Sequence, residues 1–203
     1  FKANFNLGNI LNDLGKLKEA EISQRKAIEL KPDFDKAYNN LGNTLRNLGN
    51  LKESELVIRK AIDLNPNFAI ACCNLGMILR DLGREAEAEI STKRAIEINP
   101  DLVIAHSNLS VIYRDRENLA EAESSIRKAI TLNSNMANLH CILGGIMKDL
   151  GKIIEAEVST LKALSINPKL IDAITNLAGI YDAQGETEKA FDTYYKAMQV
   201  SKD

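Results

Sequence analysis

Leucine recurs every 34 residues along the chain, at Leu7, Leu41, Leu75, Leu109, Leu143 and Leu177, and alanine keeps the same interval at Ala27, Ala61, Ala95, Ala129, Ala163 and Ala197. A fixed period of this size means that one supersecondary unit is repeated, each copy too small to bury its apolar face alone and so stacked on its neighbours. Six repeats, 1–34, 35–68, 69–102, 103–136, 137–170 and 171–203, account for all 203 residues as a single array and leave no stretch for a second domain. Positions below are counted within a repeat, so that Leu41 stands at position 7.

The second repeat shows the internal plan. Ala37, Leu41, Leu45 and Leu48 lie four, four and three residues apart, the spacing of one helical face, and Gly49 then ends the helix. Gly15, Gly83, Gly151 and Gly185 fill the same slot, and Glu117 is the exception. A second apolar series, Leu56, Ala61, Ile62 and Leu64, predicts a second helix that stops at Asn65-Pro66. The stop recurs as Lys31-Pro32, Asn99-Pro100 and Asn167-Pro168, with Asn133-Ser134 in its place in the fourth repeat. Glu21 with Arg25, Glu55 with Arg59, Glu89 with Lys93 and Glu123 with Arg127 are acid-then-base pairs four apart, which mark a solvated face.

Small residues occupy two further rows, Gly8, Gly42, Gly76, Ser110, Gly144 and Ala178 at position 8 and Ala20, Ser54, Ala88, Ala122, Ala156 and Ala190 at position 20. Larger side chains there would push neighbouring helices apart. Leu at 7, small at 8, small at 20, Ala at 27 and Pro at 32 together resemble the tetratricopeptide repeat. The resemblance implies an all-α fold, a right-handed superhelical solenoid of antiparallel helix pairs. The first helices would line a concave groove that holds a protein or peptide ligand, without catalysis and without a cofactor.

In that family the groove is lined mainly by positions 2, 5, 6, 9, 12 and 13. Position 6 is Asn6, Asn40, Asn74, Asn108 and Asn176, broken by Ile142, and Asn9 and Asn43 add amides at position 9. An amide both donates and accepts, so such a column can hold the backbone of an extended ligand without reading its sequence. It resembles the asparagine ladder of O-linked N-acetylglucosamine transferases, whose Asn-Leu-Gly-rich repeats these repeats resemble most. That likeness implies an alternative role, as the substrate-recruiting arm of a larger glycosyltransferase. The same amides could equally bond the adjacent repeat. Arg46, Arg80, Arg114 and Lys148 at position 12 stand beside Asp13, Asp81, Asp115 and Asp149 at position 13, which suits ion pairs between repeats, or, with the arginines turned into the groove, acidic ligand groups. A clamp for a chaperone's terminal carboxylate is half formed, because Ile70 and Asn74 replace the lysine and arginine it requires. Cys73 and Cys141 at position 5 are expected to be accessible thiols.

Other chemistries find little footing. With 26 basic and 28 acidic residues the net charge is −2, and with no Trp there is neither a basic track nor a stacking platform for nucleic acid. The odd set Cys72, Cys73 and Cys141 suggests no disulfide framework and hence a reducing, cytoplasmic setting. Cys72, His106 and His140 share position 4 of successive repeats, yet stacked helices lie roughly 10 Å apart and cannot share one metal ion. No phosphate loop, HExxH or GxSxG motif is present, and no apolar run approaches a membrane span.

The chain opens at Phe1 inside a repeat and reads as part of a longer protein. Phe191, Tyr194, Tyr195 and Met198 in the last helix form an apolar face with no following helix to cover it, which predicts an interface with an adjoining domain or a second copy. Phe1 and Phe5 pose the same question more mildly at the other end.

Overall fold

The computed structural model describes residues 1–200, which contain twelve α-helices and no strand. They divide into two compact units, one reaching Asn108 and one starting at Leu109. The N-terminal unit pairs α1 (Lys2–Asp13) with α2 (Leu17–Leu30), α3 (Asp35–Asn47) with α4 (Leu51–Leu64), and α5 (Ala69–Asp81) with α6 (Glu85–Ile98). Helix α7 (Val103–Asp115) crosses the division. The C-terminal unit continues with α8 (Leu119–Leu132), then pairs α9 (Ala137–Asp149) with α10 (Ile153–Ile166) and α11 (Ile171–Ala183) with α12 (Thr187–Val200).

Within the units second helices also pack on the first helix of the next pair, α2 on α3, α4 on α5, α8 on α9 and α10 on α11. First helices touch in succession, α1 on α3 and α3 on α5, and in the other unit α9 on α11. The first helices therefore form a continuous layer within each unit, and their outward rows are available as a surface.

Position 8 sets how closely the two helices of a pair approach. A Cβ on Gly42 would lie 2.4 Å from Cγ1 of Ile58, one on Gly76 2.1 Å from Oγ1 of Thr92, and one on Gly144 2.2 Å from Oγ1 of Thr160. The side chain at position 24 thus rests directly on the backbone at position 8. Leu45, Ile58, Ile78 and Leu79 complete the interior of the N-terminal unit, and Ile126, Ile146 and Ile180 that of the other. Each such fully buried aliphatic contributes on the order of 1.5–3 kcal/mol.

The periodic reading of the second helix needs one correction. Leu56 is 69% exposed, whereas Ser54, Ile58 and Ala61 face the interior of α4. Residues two apart on a helix point to nearly opposite sides, so the true inward row is four and three residues apart. At the N-terminus the aromatic residues are partly covered, since the rings of Phe1 and Phe5 lie 5.3 and 4.9 Å from that of Phe34.

The turns follow local chemistry. Gly49 at φ +81° lets the N–H of Asn50 reach back to the carbonyl of Leu45 at 2.9 Å. Glu117 makes the same turn at φ +60°, with the N–H of Asn118 on the carbonyl of Tyr113 at 2.9 Å. Where the fourth repeat lacks proline, Asn133 still ends the helix, its Oδ1 accepting the N–H of Asn135 at 3.1 Å, as Asn65 does for Asn67.

A non-glycine residue in this left-handed region costs roughly 1–2 kcal/mol, partly offset by glycine's larger unfolded-state entropy. We therefore expect Glu117→Gly to stabilise the chain by about 0.5–1 kcal/mol, read as a higher urea midpoint. An unchanged or lower midpoint contradicts this account of the turn.

Candidate functional site

The position-6 asparagines are tied into a relay that crosses three repeats. Asn74 Nδ2 donates to Asn39 Oδ1 at 2.9 Å, Asn39 Nδ2 to Asn40 Oδ1 at 3.1 Å, and Asn40 Nδ2 to Asn9 Oδ1 at 2.7 Å. Further along the same unit Asn108 Nδ2 donates to Cys73 Sγ at 3.1 Å. In the C-terminal unit Asn176 Nδ2 reaches the carbonyl of Cys141 at 3.2 Å and its Sγ at 3.3 Å. The rule is consistent: the amide at position 6 donates to position 5 of the preceding repeat. The first repeat has Phe5 there, so Asn40 turns to Asn9 instead.

Asn40, Asn74, Asn108 and Asn176 are half-buried, Asn9 and Asn43 likewise, and Asn6 is exposed. Asn74 and Asn108 each spend one N–H on the neighbouring repeat and retain the second N–H and Oδ1. The column therefore joins repeats to one another and still presents unspent donors and acceptors.

Arginines at position 12 are held from the following repeat. Arg46 Nε lies 2.5 Å from Asp81 Oδ2 in the N-terminal unit, and Arg114 Nε 2.5 Å from Asp149 Oδ2 in the C-terminal unit. Arg80 Nη1 stands 3.7 Å from Asp81 Oδ1. Arg114 also lies flat against Gly145, where a Cβ would come within 3.0 Å of its Nη1, and Lys148 Nζ would be 3.3 Å from a Cβ on Gly179. The glycines at position 9 make room for the cations that precede them.

The thiol expectation is overturned. Cys73 is 0% and Cys141 6% exposed. Burial pushes the Cys73 thiol up to about 12 and, helped by the Asp172 carboxylate, that of Cys141 to about 11. At position 4 His106 Nε2–H donates to the carbonyl of Pro100 at 2.8 Å and His140 Nε2–H to that of Ser134 at 2.9 Å, so both rings close the turn before their helix. No group of three or more metal-ligating side chains occurs among the described residues, and none of their helices is long and apolar enough to cross a membrane. On α12 Phe191 is 70% exposed, with Tyr194, Tyr195 and Met198 also on the surface.

Two features went unread in the sequence. Ile22, Leu56 and Ile90, all at position 22, form an exposed apolar row on the second helices of the N-terminal unit. The four acid-base pairs do form, at 2.7 to 2.9 Å, but members of several also reach an adjacent repeat. Arg25 contacts Glu53 at 2.6 Å, Arg84 contacts Glu55 at 2.8 Å, and Lys152 contacts Glu123 at 3.0 Å. A basic residue at position 16 facing the glutamate at position 21 one repeat earlier was the available signal for the last two.

With the geometry in place, comparison with known proteins gives the family. The family profile described as "Tetratricopeptide repeat" matches residues 1–34, 35–68, 69–102, 104–136 and 171–203, and the chain belongs to that family. Comparison with curated proteins gives no match. Among solved structures, TTC0263, a thermophilic tetratricopeptide repeat protein of Thermus thermophilus, is 21% identical over 88% of this chain and 97% of its own, with a TM-score of 0.80. PilW, a type IV pilus biogenesis factor, is 18% identical over 96% and 90%, at 0.85. YrrB, described as having an unusual peptide-binding site, is 22% identical over 89% and 93%, at 0.61. These likenesses fix the fold class as an all-α helical-repeat solenoid.

Glu55 and Glu123 carry the pH dependence of the stacking. Partial burial pushes the Glu55 carboxyl up, but hydrogen bonds from Arg59 and Arg84 outweigh it and hold the group below its usual range. Glu123 is pulled down chiefly by Lys152, against partial burial and with help from Arg127. A carboxyl depressed on folding adds stability that is complete above its unfolded value of about 4.3 and is lost as pH falls through the folded value. We expect the double variant Glu55→Gln, Glu123→Gln to be about 1 kcal/mol less stable at pH 7. Urea titration should show the gap narrowing as pH falls below the unfolded carboxyl value of about 4.3; a gap that is constant with pH rules out the ion pairs as its source.

Proposed function

We propose that the chain is a non-catalytic protein-binding scaffold that holds an extended segment of a protein partner along its first helices, using Asn6, Asn40, Asn74 and Asn108, with Asn9 and Asn43 beside them. The observation that carries this reading is the unspent hydrogen-bonding capacity of half-buried amides repeated along one row. An extended chain repeats its own N–H and C=O groups every few ångströms, so a regular amide row suits a backbone better than a particular side chain. Family membership supports binding over catalysis, and the peptide-binding site in the description of YrrB supports a peptide ligand. Asn176, Arg46, Arg80 and Arg114 would add lateral contacts, the arginines being partly committed to their aspartates. The exposed aromatic face of α12 would serve an adjoining domain or a second copy. The reading favours a protein partner in the cytoplasm over nucleic acid or membrane.

The test is capture of partners from the source cell's extract by the intact chain and by Asn40→Ala, Asn74→Ala, Asn108→Ala, with circular dichroism confirming that the variant stays helical. Each lost amide removes about 0.5–1.5 kcal/mol of ligand bonding, so the three together should reduce capture by at least about tenfold. Equal capture by a folded variant would refute the amide row as the binding surface.

The likeness of the Asn-Leu-Gly repeats to those of O-linked N-acetylglucosamine transferases supports a second reading, a substrate-recruiting arm. It expects a glycosyltransferase domain in the reading frame that encodes this chain, and sequencing that frame to both ends decides it.

A further inference from the structure

A polar cavity of about 140 Å³ opens on the first repeat, lined by Asn9, Asn12, Asp13, Gln24, Asn40 and Asn43. Its floor carries a buried acceptor. Gln24 is 1% exposed, and its Oε1 finds no hydrogen-bond partner in the protein. A buried acceptor left unpaired costs about 1–3 kcal/mol. The counterparts of Gln24 at position 24 include Ile58 and Ile126, which fill the same place with hydrocarbon. Thr92 and Thr160 keep a buried hydroxyl in that slot, also without a partner, but only at Gln24 does the longer amide side chain stand in the lining of this polar cavity.

Two further observations say what it would take. In the C-terminal unit the cationic head at position 12 lies over position 9 of the next repeat, Arg114 over Gly145 and Lys148 over Gly179. At the start of the array those positions are Asn12 of the first repeat and Asn43 of the second, and both line the cavity. The amide of Asn12 carries no charge, and its Oδ1 accepts from Thr44 Oγ1 at 3.3 Å. The cavity thus occupies the place where the array elsewhere sets its own cation. Its wall also carries the Asp13 carboxylate, whereas Asp81 and Asp149 at the same position each accept an arginine.

We propose that this cavity is a subsite for an arginine side chain of a bound protein segment, its guanidinium donating to Gln24 Oε1 at the floor and to the Asp13 carboxylate at the wall. A guanidinium spreads five N–H donors over a plane, which suits acceptors placed apart better than the compact ammonium of lysine. The inference deepens the groove reading above, because the arginine arrives on the same segment that the amide row would hold.

The test is NMR titration of the ¹⁵N-labelled chain with acetyl-Gly-Gly-Arg-Gly-Gly-amide and with its citrulline twin, which keeps the shape and loses the charge. The expected result is a saturable shift of the side-chain amide signals of Gln24, Asn12 and Asn43 with the arginine peptide, and at least about tenfold weaker binding of the citrulline peptide. Asp13→Asn should weaken the response. Asn12→Arg, which restores the array's own cation, and Gln24→Ile, which copies Ile58, should abolish it while circular dichroism stays unchanged. Equal response to both peptides, no shift at Gln24, or a shift that survives in Asn12→Arg overturns the proposal. Backbone signals of α5, which contributes nothing to the cavity lining, report the amide row separately: shifts there without Gln24 leave the groove reading standing and remove the subsite, and the reverse pattern does the opposite.

Discussion

The contact between position 8 and position 24 governs the rest of the structure. Because Gly42 has no Cβ, Ile58 can lie on its backbone, and the two helices of the pair close to a distance that any side chain at residue 42 would prevent. Ser54 Oγ ties the same two helices by donating to the carbonyl of Gly42 at 2.6 Å, and Ser54 and Ala61 are both fully buried. Close packing within the pair fixes the spacing between successive first helices. That spacing in turn lets the amide of Asn74 reach Asn39 and the guanidinium of Arg46 reach Asp81. The outward rows are ordered because the inward contact is tight.

The same contact explains why one repeat differs in chemistry while sharing the fold. Gln24 lies against Gly8 as Ile58 lies against Gly42, and a Cβ on Gly8 would meet its Cγ at 2.6 Å. Its methylene groups satisfy the packing rule and its amide does not, since the carbonyl oxygen is buried without a partner. Local packing therefore tolerates a residue whose polar end has consequences on the neighbouring surface. Thr92 and Thr160 take the same slot with a shorter polar end, a hydroxyl that is likewise buried without a partner.

Much of the fold was legible because it rests on periodicity and on residues with few alternatives. Leucine and alanine every 34 residues, glycine at the positive-φ turn and the asparagine stop each act through backbone geometry or volume, which a sequence displays directly. Even the exception at Glu117 was visible, and the structure shows that the turn imposes its φ regardless of the side chain. The apolar reading of Leu56 failed because a helix of apolar and small residues has more than one plausible stripe, and Ser54 rather than Leu56 turned out to face inward. The thiols failed for a different reason. Cys73 is short enough to be covered by Asn108 from the next repeat, whose Nδ2 donates to its Sγ. The cavity at Gln24 was not legible at all, since it depends on which atom of one amide is left unpaired.

The amide relay has a cost that bears on its use. Three side-chain hydrogen bonds from Asn74 through Asn39 and Asn40 to Asn9 run in one direction, each amide donating to the next, so each bond polarises the one after it. A leucine row would pack as well and would need no partners, so stacking alone does not call for amides. What amides add is register: a displaced repeat would leave donors and acceptors unpaired in a half-buried setting, at about 1–3 kcal/mol for each group. Register is also what a long ligand needs, because groups spaced along an extended chain must meet their partners simultaneously. A ligand that takes the remaining N–H and Oδ1 of Asn74 meets an amide already polarised by its bond to Asn39. On the proposed reading, binding and stacking would reinforce each other through the same atoms, and the row that holds the repeats in line would serve as a preorganised surface.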